Sequence, residues 1–136
     1  MATPGQVGEA FRSVLLANNY RQSQEHEAFD TGKAHRQFYL TGPRLGETAH
    51  PGSHWHDTVW EVTAWVGYEP RPASSDPDRG RFEIADWLDE LLEAWGSDAT
   101  IKLDEFSIST ADPIWAEDDE FWAVEIAAQF RNRRSY

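Results

Sequence analysis

The chain has 136 residues, no cysteine, seven tryptophans and a formal net charge of −12. That length suits one domain, residues 1–136, with a continuous core, and the missing thiols exclude disulfides, thiolate metal sites and cysteine catalysis. Residues 83–125 hold fourteen acids against the single Lys102, an imbalance that opposes tight wrapping of nucleic acid, which takes clustered lysine and arginine.

Thr3-Pro4 followed by Gln6 predicts a capped helix start, with proline at the first helical position and a Thr-x-x-Gln capping box. Val7, Phe11, Val14, Leu15 and Asn18 then recur at helical spacing and make one stripe. Nothing here has the basic region and long apolar run of a signal peptide or membrane span. Residues 17–34 are polar and irregular and read as a loop. Residues 35–42 read as a short strand that stops at Gly42-Pro43. Pro43, Gly46, Pro51 and Gly52 then make 43–56 a long flexible loop.

Residues 57–70 form the clearest strand. Trp60, Val62, Ala64, Val66 and Tyr68 fall on one face, and Val59, Glu61, Thr63, Trp65 and Gly67 on the other. Trp65, on the half-polar face, has two readings: covered by a loop, or an interface anchor. Residues 71–80, with two prolines, two serines and a glycine, read as a mobile connector. An amphipathic helix follows. Ile84, Ala85, Trp87, Leu88, Leu91, Leu92 and Trp95 fill its apolar arc, opposite a ridge of Glu83, Asp86, Asp89, Glu90 and Glu93, and Gly96 ends it. Residues 100–110 alternate as a strand with a change of phase near Asp104-Glu105, as a β-bulge gives. Residues 111–120 read as a connecting loop. A last strand puts Trp122, Val124, Ile126, Ala128 and Phe130 on one face, with Phe121, Ala123, Glu125, Ala127, Gln129 and Arg131 on the other.

Strands thus come in neighbouring pairs, and each helix has one apolar side. The expected fold class is α+β, a mostly antiparallel sheet of about four to five strands with two helices packed on one face. The other face, with Glu61, Trp65, Phe121, Glu125 and Gln129, is a candidate contact surface, as are the sheet edges.

Three of the five histidines cluster at residues 50–56. His50 and His54 have the spacing of a helical metal pair, but Pro51-Gly52 lies between them and breaks a helix. With His56 and Asp57 they make at most a partial two-histidine, one-carboxylate set. The reading is a polar loop, with no resident metal or cofactor. Phosphate-binding glycine patterns and nucleophile elbows are absent from the sequence, and Glu117–Glu120 lack the spacing of a calcium loop. The chain reads as a structural protein rather than an enzyme.

The helix, the strand VWEVTAWVGYEP, the polar linker, the helix DRGRFEIADWLDELLEAW and the closing pair IKLDEFSIST and FWAVEIAAQFRNRR together resemble the tail terminator proteins of long-tailed bacteriophages. The likeness runs from about Val7 to Arg131 in diffuse apolar patterns and leaves out the histidine segment. It implies a virion component at the tail–neck junction: a homo-oligomeric ring of about six subunits. Such a ring caps the tail tube, stops its polymerisation and docks a head-completion or neck protein, while DNA passes without specific binding. On this reading Glu83, Asp86, Glu90, Glu93, Asp118 and Asp119 line the channel. Trp65, Phe121, Arg131, Arg133 and Arg134 contact neighbouring subunits. The alternatives are another neck or connector protein, a small metal-dependent hydrolase using the 50–57 cluster, or an acidic inhibitor that mimics DNA.

Overall fold

The capping signal at the N-terminus translates directly into backbone. A computed structural model describes residues 3–30, 32–49, 55–69, 77–101, 106–110, 113–116 and 121–135, and in it helix α1 spans Pro4–Ala17. The Gln6 N–H donates to the Thr3 hydroxyl at 3.1 Å, and the Thr3 N–H donates to the Gln6 side chain at 2.9 Å. First-turn donors with no intrahelical partner are thereby satisfied. Thr3→Ala is expected to lower stability by about 1 kcal/mol, read as an earlier denaturant midpoint with an unchanged slope.

Six strands form one mostly antiparallel sheet: β1 (Arg21–Gln22), β2 (Gln37–Ala49), β3 (Trp55–Tyr68), β4 (Phe106–Thr110), β5 (Ile114–Ala116) and β6 (Phe121–Ser135), with helix α2 (Pro77–Gly96) between β3 and β4. Their order across the sheet is β1-β2-β3-β6-β4, and β5 pairs the start of β6. The long central pair runs in unbroken register from Trp55 opposite Ser135 to Tyr68 opposite Trp122. Among the described strands only β1 lies parallel to its neighbour. The α+β class expected from the sequence is the one observed. The strands beyond the expected four or five are β1 and β5, two and three residues long, too short to leave a period.

Four expected loops are corrected, the first being 17–34, which contains β1. Residues 43–49 and 55–56 belong to β2 and β3, leaving only 50–54 outside the described residues. β2 continues through Pro43 because Pro43 falls in the register shift between Thr41 and Arg44, where it has no partner among the described residues, so the missing N–H removes no paired ladder position. The connector at 71–80 gives way to helix at Pro77, and 71–76 lie outside the described residues. The segment 111–120 contains β5. The bulge expected near Asp104-Glu105 also lies outside the described residues. The bulges observed are in β2, where Thr41 faces Thr63 but Arg44 faces Glu61, and again between Leu45 and Glu47.

One hydrophobic core joins Phe11, Val14 and Leu15 of α1 to Ile84, Leu91 and Trp95 of α2. The same core takes in Val62, Ala64, Val66 and Tyr68 of β3 and Val124, Ile126 and Ala128 of β6. All these strand residues belong to one alternation. The opposite alternation defines what is here called the outer face. Inside the core Tyr20 and Tyr68 share a hydroxyl–hydroxyl bond of 2.6 Å. Burial is the main cause that raises both phenols above their ordinary pKa, so both stay neutral. Among the described residues no helix is long and apolar enough to cross a membrane.

Candidate functional site

The outer face divides into a roofed part and an open part. The roof is the segment between β1 and β2. Gln37 is buried, and its amide is tied at both ends: its side-chain oxygen accepts the Asp30 N–H at 2.9 Å, and its Nε2 donates to the Asp30 carboxylate at 2.6 Å. That double link holds the adjacent Phe29 over the sheet. The Phe29 ring lies 5.0 Å from Tyr39 and 5.1 Å from Phe121, and Tyr39 stacks on Trp65 at 6.2 Å. Farther along, Gly67 lets the Ala34 backbone approach so closely that a Cβ there would sit 2.5 Å from the Ala34 carbonyl oxygen.

This roof corrects one expected interface residue. Phe121 is only 6 % exposed, because Phe29 covers it. Sequence periodicity puts Phe121 on the correct face but carries no signal that a loop residue ninety positions away folds over that face. Trp65 is half-buried and stacks on Tyr39 of the neighbouring strand β2, so the ring it packs on belongs to a strand rather than a loop.

Beyond Trp65 the face is open. A notch of about 210 Å³ lies between the β2 bulge and the central strands, lined by Trp65, Glu61 and Glu125 together with Thr41, Thr63 and Arg44. The bulge creates it. Gly42 takes a φ of +96°, and Arg44 is carried opposite Glu61. The Arg44 guanidinium donates to Glu61 at 2.9 Å, and the Gln129 amide donates to the other carboxylate oxygen at 2.9 Å. These bonds, Arg44 first, hold the Glu61 carboxyl below the usual glutamate range. The group is charged at neutral pH, and it stabilises the fold above its unfolded-state pKa. That contribution fades as pH falls through the lower folded-state value. In Arg44→Ala the Glu61 pKa, followed by NMR titration of its carboxyl carbon, is expected to rise towards the ordinary value.

Glu125 differs from Glu61. It sits opposite Trp65 in the β3–β6 register, half-buried, with no hydrogen bond or ion pair among the described residues. Arg131 lies on the same face farther along β6 and is exposed. Arg133 and Arg134 continue that strand opposite Asp57 and His56. The backbone register therefore joins two separate expectations, the basic interface residues and part of the histidine cluster, at one end of the sheet. His50 and His54 lie outside the described residues. Among the described residues no group of three histidines or carboxylates is placed to hold a metal ion.

The acidic helix face is split as well. Asp86, Glu90 and Glu93 are exposed on α2. Glu83 is half-buried instead, 3.7 Å from Arg79. With Asp86 it borders a cleft of about 420 Å³ that also includes His35, Glu69 and Trp87. The Glu69 N–H donates to His35 Nδ1 at 3.0 Å, so that nitrogen is occupied as an acceptor. None of these five cleft residues offers a hydroxyl or thiol nucleophile. Asp118 and Asp119 lie outside the described residues.

Sequence periodicity reached the outer-face residues Glu61, Trp65, Glu125 and Gln129. It missed Phe29, Tyr39 and Arg44, because a loop contact and a bulge have no period. Neither a family model nor a curated protein matches the chain, so its functional reading rests on these residues and their geometry.

Proposed function

We propose that the protein is a bacteriophage tail terminator, a homo-oligomeric ring that caps the tail tube at the neck of the virion. One observation carries this reading: the fold presents two chemically distinct exposed surfaces, one acidic on α2 and one aromatic and polar on the sheet. α2 turns Ile84, Leu91 and Trp95 into the core and leaves Asp86, Glu90 and Glu93 exposed. The open part of the outer sheet face presents aromatic and polar groups with mixed charge.

A ring needs both kinds of surface. Carboxylates facing a channel repel phosphate over about 8–10 Å at ordinary salt, which lets DNA pass without adhering. An aromatic and mixed-charge face supports contact between copies. In this role Asp86, Glu90 and Glu93 line the channel, with Glu83 at its margin. Trp65 and the arginines of β6 meet the neighbouring subunit. The tail tube protein and a neck or head-completion protein are the axial partners. Another connector in the same neck assembly would use the same two surfaces.

The test mixes the purified chain with polymerising tail-tube protein and measures particle mass by light scattering and tube length by electron microscopy. Rings of about six copies at tube ends, with shorter tubes as more protein is added, are the expected result. Unchanged tube length with the chain still monomeric overturns the proposal. A monomer that retains stoichiometric zinc points to the metal-dependent hydrolase instead.

A further inference from the structure

The notch beside Trp65 is more specific than a general contact surface. We propose that it receives an arginine guanidinium from the basic end of β6 in a second copy of the chain. This rests on the ring reading, since it names a contact between copies.

The two carboxylates of the notch are in different states. Glu61 is engaged by Arg44 and Gln129, each at 2.9 Å. Glu125 is half-buried and without a partner among the described residues. A carboxylate partly withdrawn from water is favourable once a donor reaches it, and charge-assisted bonds to guanidinium are the strongest available. Across the strands from Glu125 stands Trp65, its ring stacked on Tyr39 at 6.2 Å with 19° between the planes. An indole held in one orientation next to a free carboxylate suits a planar cation, which can lie against the ring while its N–H groups point at the oxygens. Thr41 and Thr63, opposite each other in register, add hydroxyl acceptors.

Charge selects the occupant. Glu61 and Glu125 against Arg44 leave the notch with one net negative charge, which one guanidinium neutralises. Phosphate and acidic segments are repelled. The chain has only two lysines, Lys33 and Lys102, and its densest basic stretch is Arg131, Arg133 and Arg134. A second copy therefore supplies arginine from the end of β6.

Two experiments separate this proposal from the ring itself. First, Glu125→Gln removes the charge while keeping the shape. It is expected to raise the concentration needed for ring assembly on tubes at least about tenfold, and Arg131→Gln/Arg133→Gln/Arg134→Gln should do the same. If wild type forms rings and Glu125→Gln forms them at the same concentration, the arginine receptor is wrong and the ring reading stands. Second, the full chain is titrated with a synthetic peptide of residues 126–136, following the Trp65 indole resonance by NMR. A saturable shift that is lost in Glu125→Gln, and lost when the peptide's arginines are replaced by glutamine, upholds the receptor even if no ring forms. No shift, or the same shift with both peptides, overturns it.

Discussion

Trp95→Ala is expected to destabilise the fold by about 3–5 kcal/mol, the range for truncating a fully buried large aromatic. Trp95 is 0 % exposed and stacks on Phe11 with ring centroids 4.2 Å apart and 6° between the planes. Its indole N–H also donates to the Phe11 carbonyl at 3.1 Å, so one side chain fastens α2 to α1 by packing and by a buried hydrogen bond. Truncation leaves a cavity between the helices and removes the hydrogen bond that ties α2 to the α1 backbone. Against a typical domain stability of about 5–15 kcal/mol the loss is large. Urea denaturation followed by circular dichroism measures it. Trp115→Ala is the control: that residue is 37 % exposed on β5, and its loss should cost below about 1 kcal/mol. Equal effects from the two substitutions would contradict the α1–α2 packing. Trp95→Phe should fall between wild type and alanine, because it keeps the stack and drops the hydrogen bond.

Gly42→Ala is the second large effect, and it strikes the notch directly. The residue has a φ of +96°, and a Cβ there would lie 2.5 Å from the Glu61 carbonyl oxygen and 3.0 Å from the Arg44 nitrogen. Both obstacles are backbone, so no rotamer change relieves them. The conformational strain alone is worth about 1–3 kcal/mol, and the collision adds to it by prising the β2 bulge away from β3. Gly32→Ala isolates the two contributions. Its φ is +76°, yet nothing lies within 4 Å of the added Cβ, so it should show strain without collision. Gly42→Ala should therefore melt well below Gly32→Ala. It should also release Arg44 from Glu61, seen as a rise in the Glu61 pKa. Matching melting temperatures for the two variants would mean that the bulge yields without cost.

Glu125 was visible in the sequence as a face position and nothing more. Its standing as the notch carboxylate with no partner among the described residues depends on Arg44 and Gln129 both turning to Glu61, and Arg44 reaches Glu61 through a bulge that shifts β2 by one residue. Glu83 shows the same limit. Helical spacing groups it with Asp86, Glu90 and Glu93, but Arg79 one turn earlier and the cleft beside His35 set it apart.

By itself the sequence determined α1 with its capping box, the alternation of β3 and β6, the amphipathic arc of α2 and the α+β class. Each depends on residues within about four positions of one another, or on a period of 2 or 3.6, so local sterics and burial decide it. The tertiary structure alone decided that β2 runs past Gly42-Pro43, that Phe29 roofs Phe121, and that Trp65 and Glu125 border an open notch. Those outcomes depend on contacts between segments far apart in the chain. A proline is tolerated at a bulge, where it has no register partner among the described residues, and a loop is pinned by a buried glutamine able to bond it.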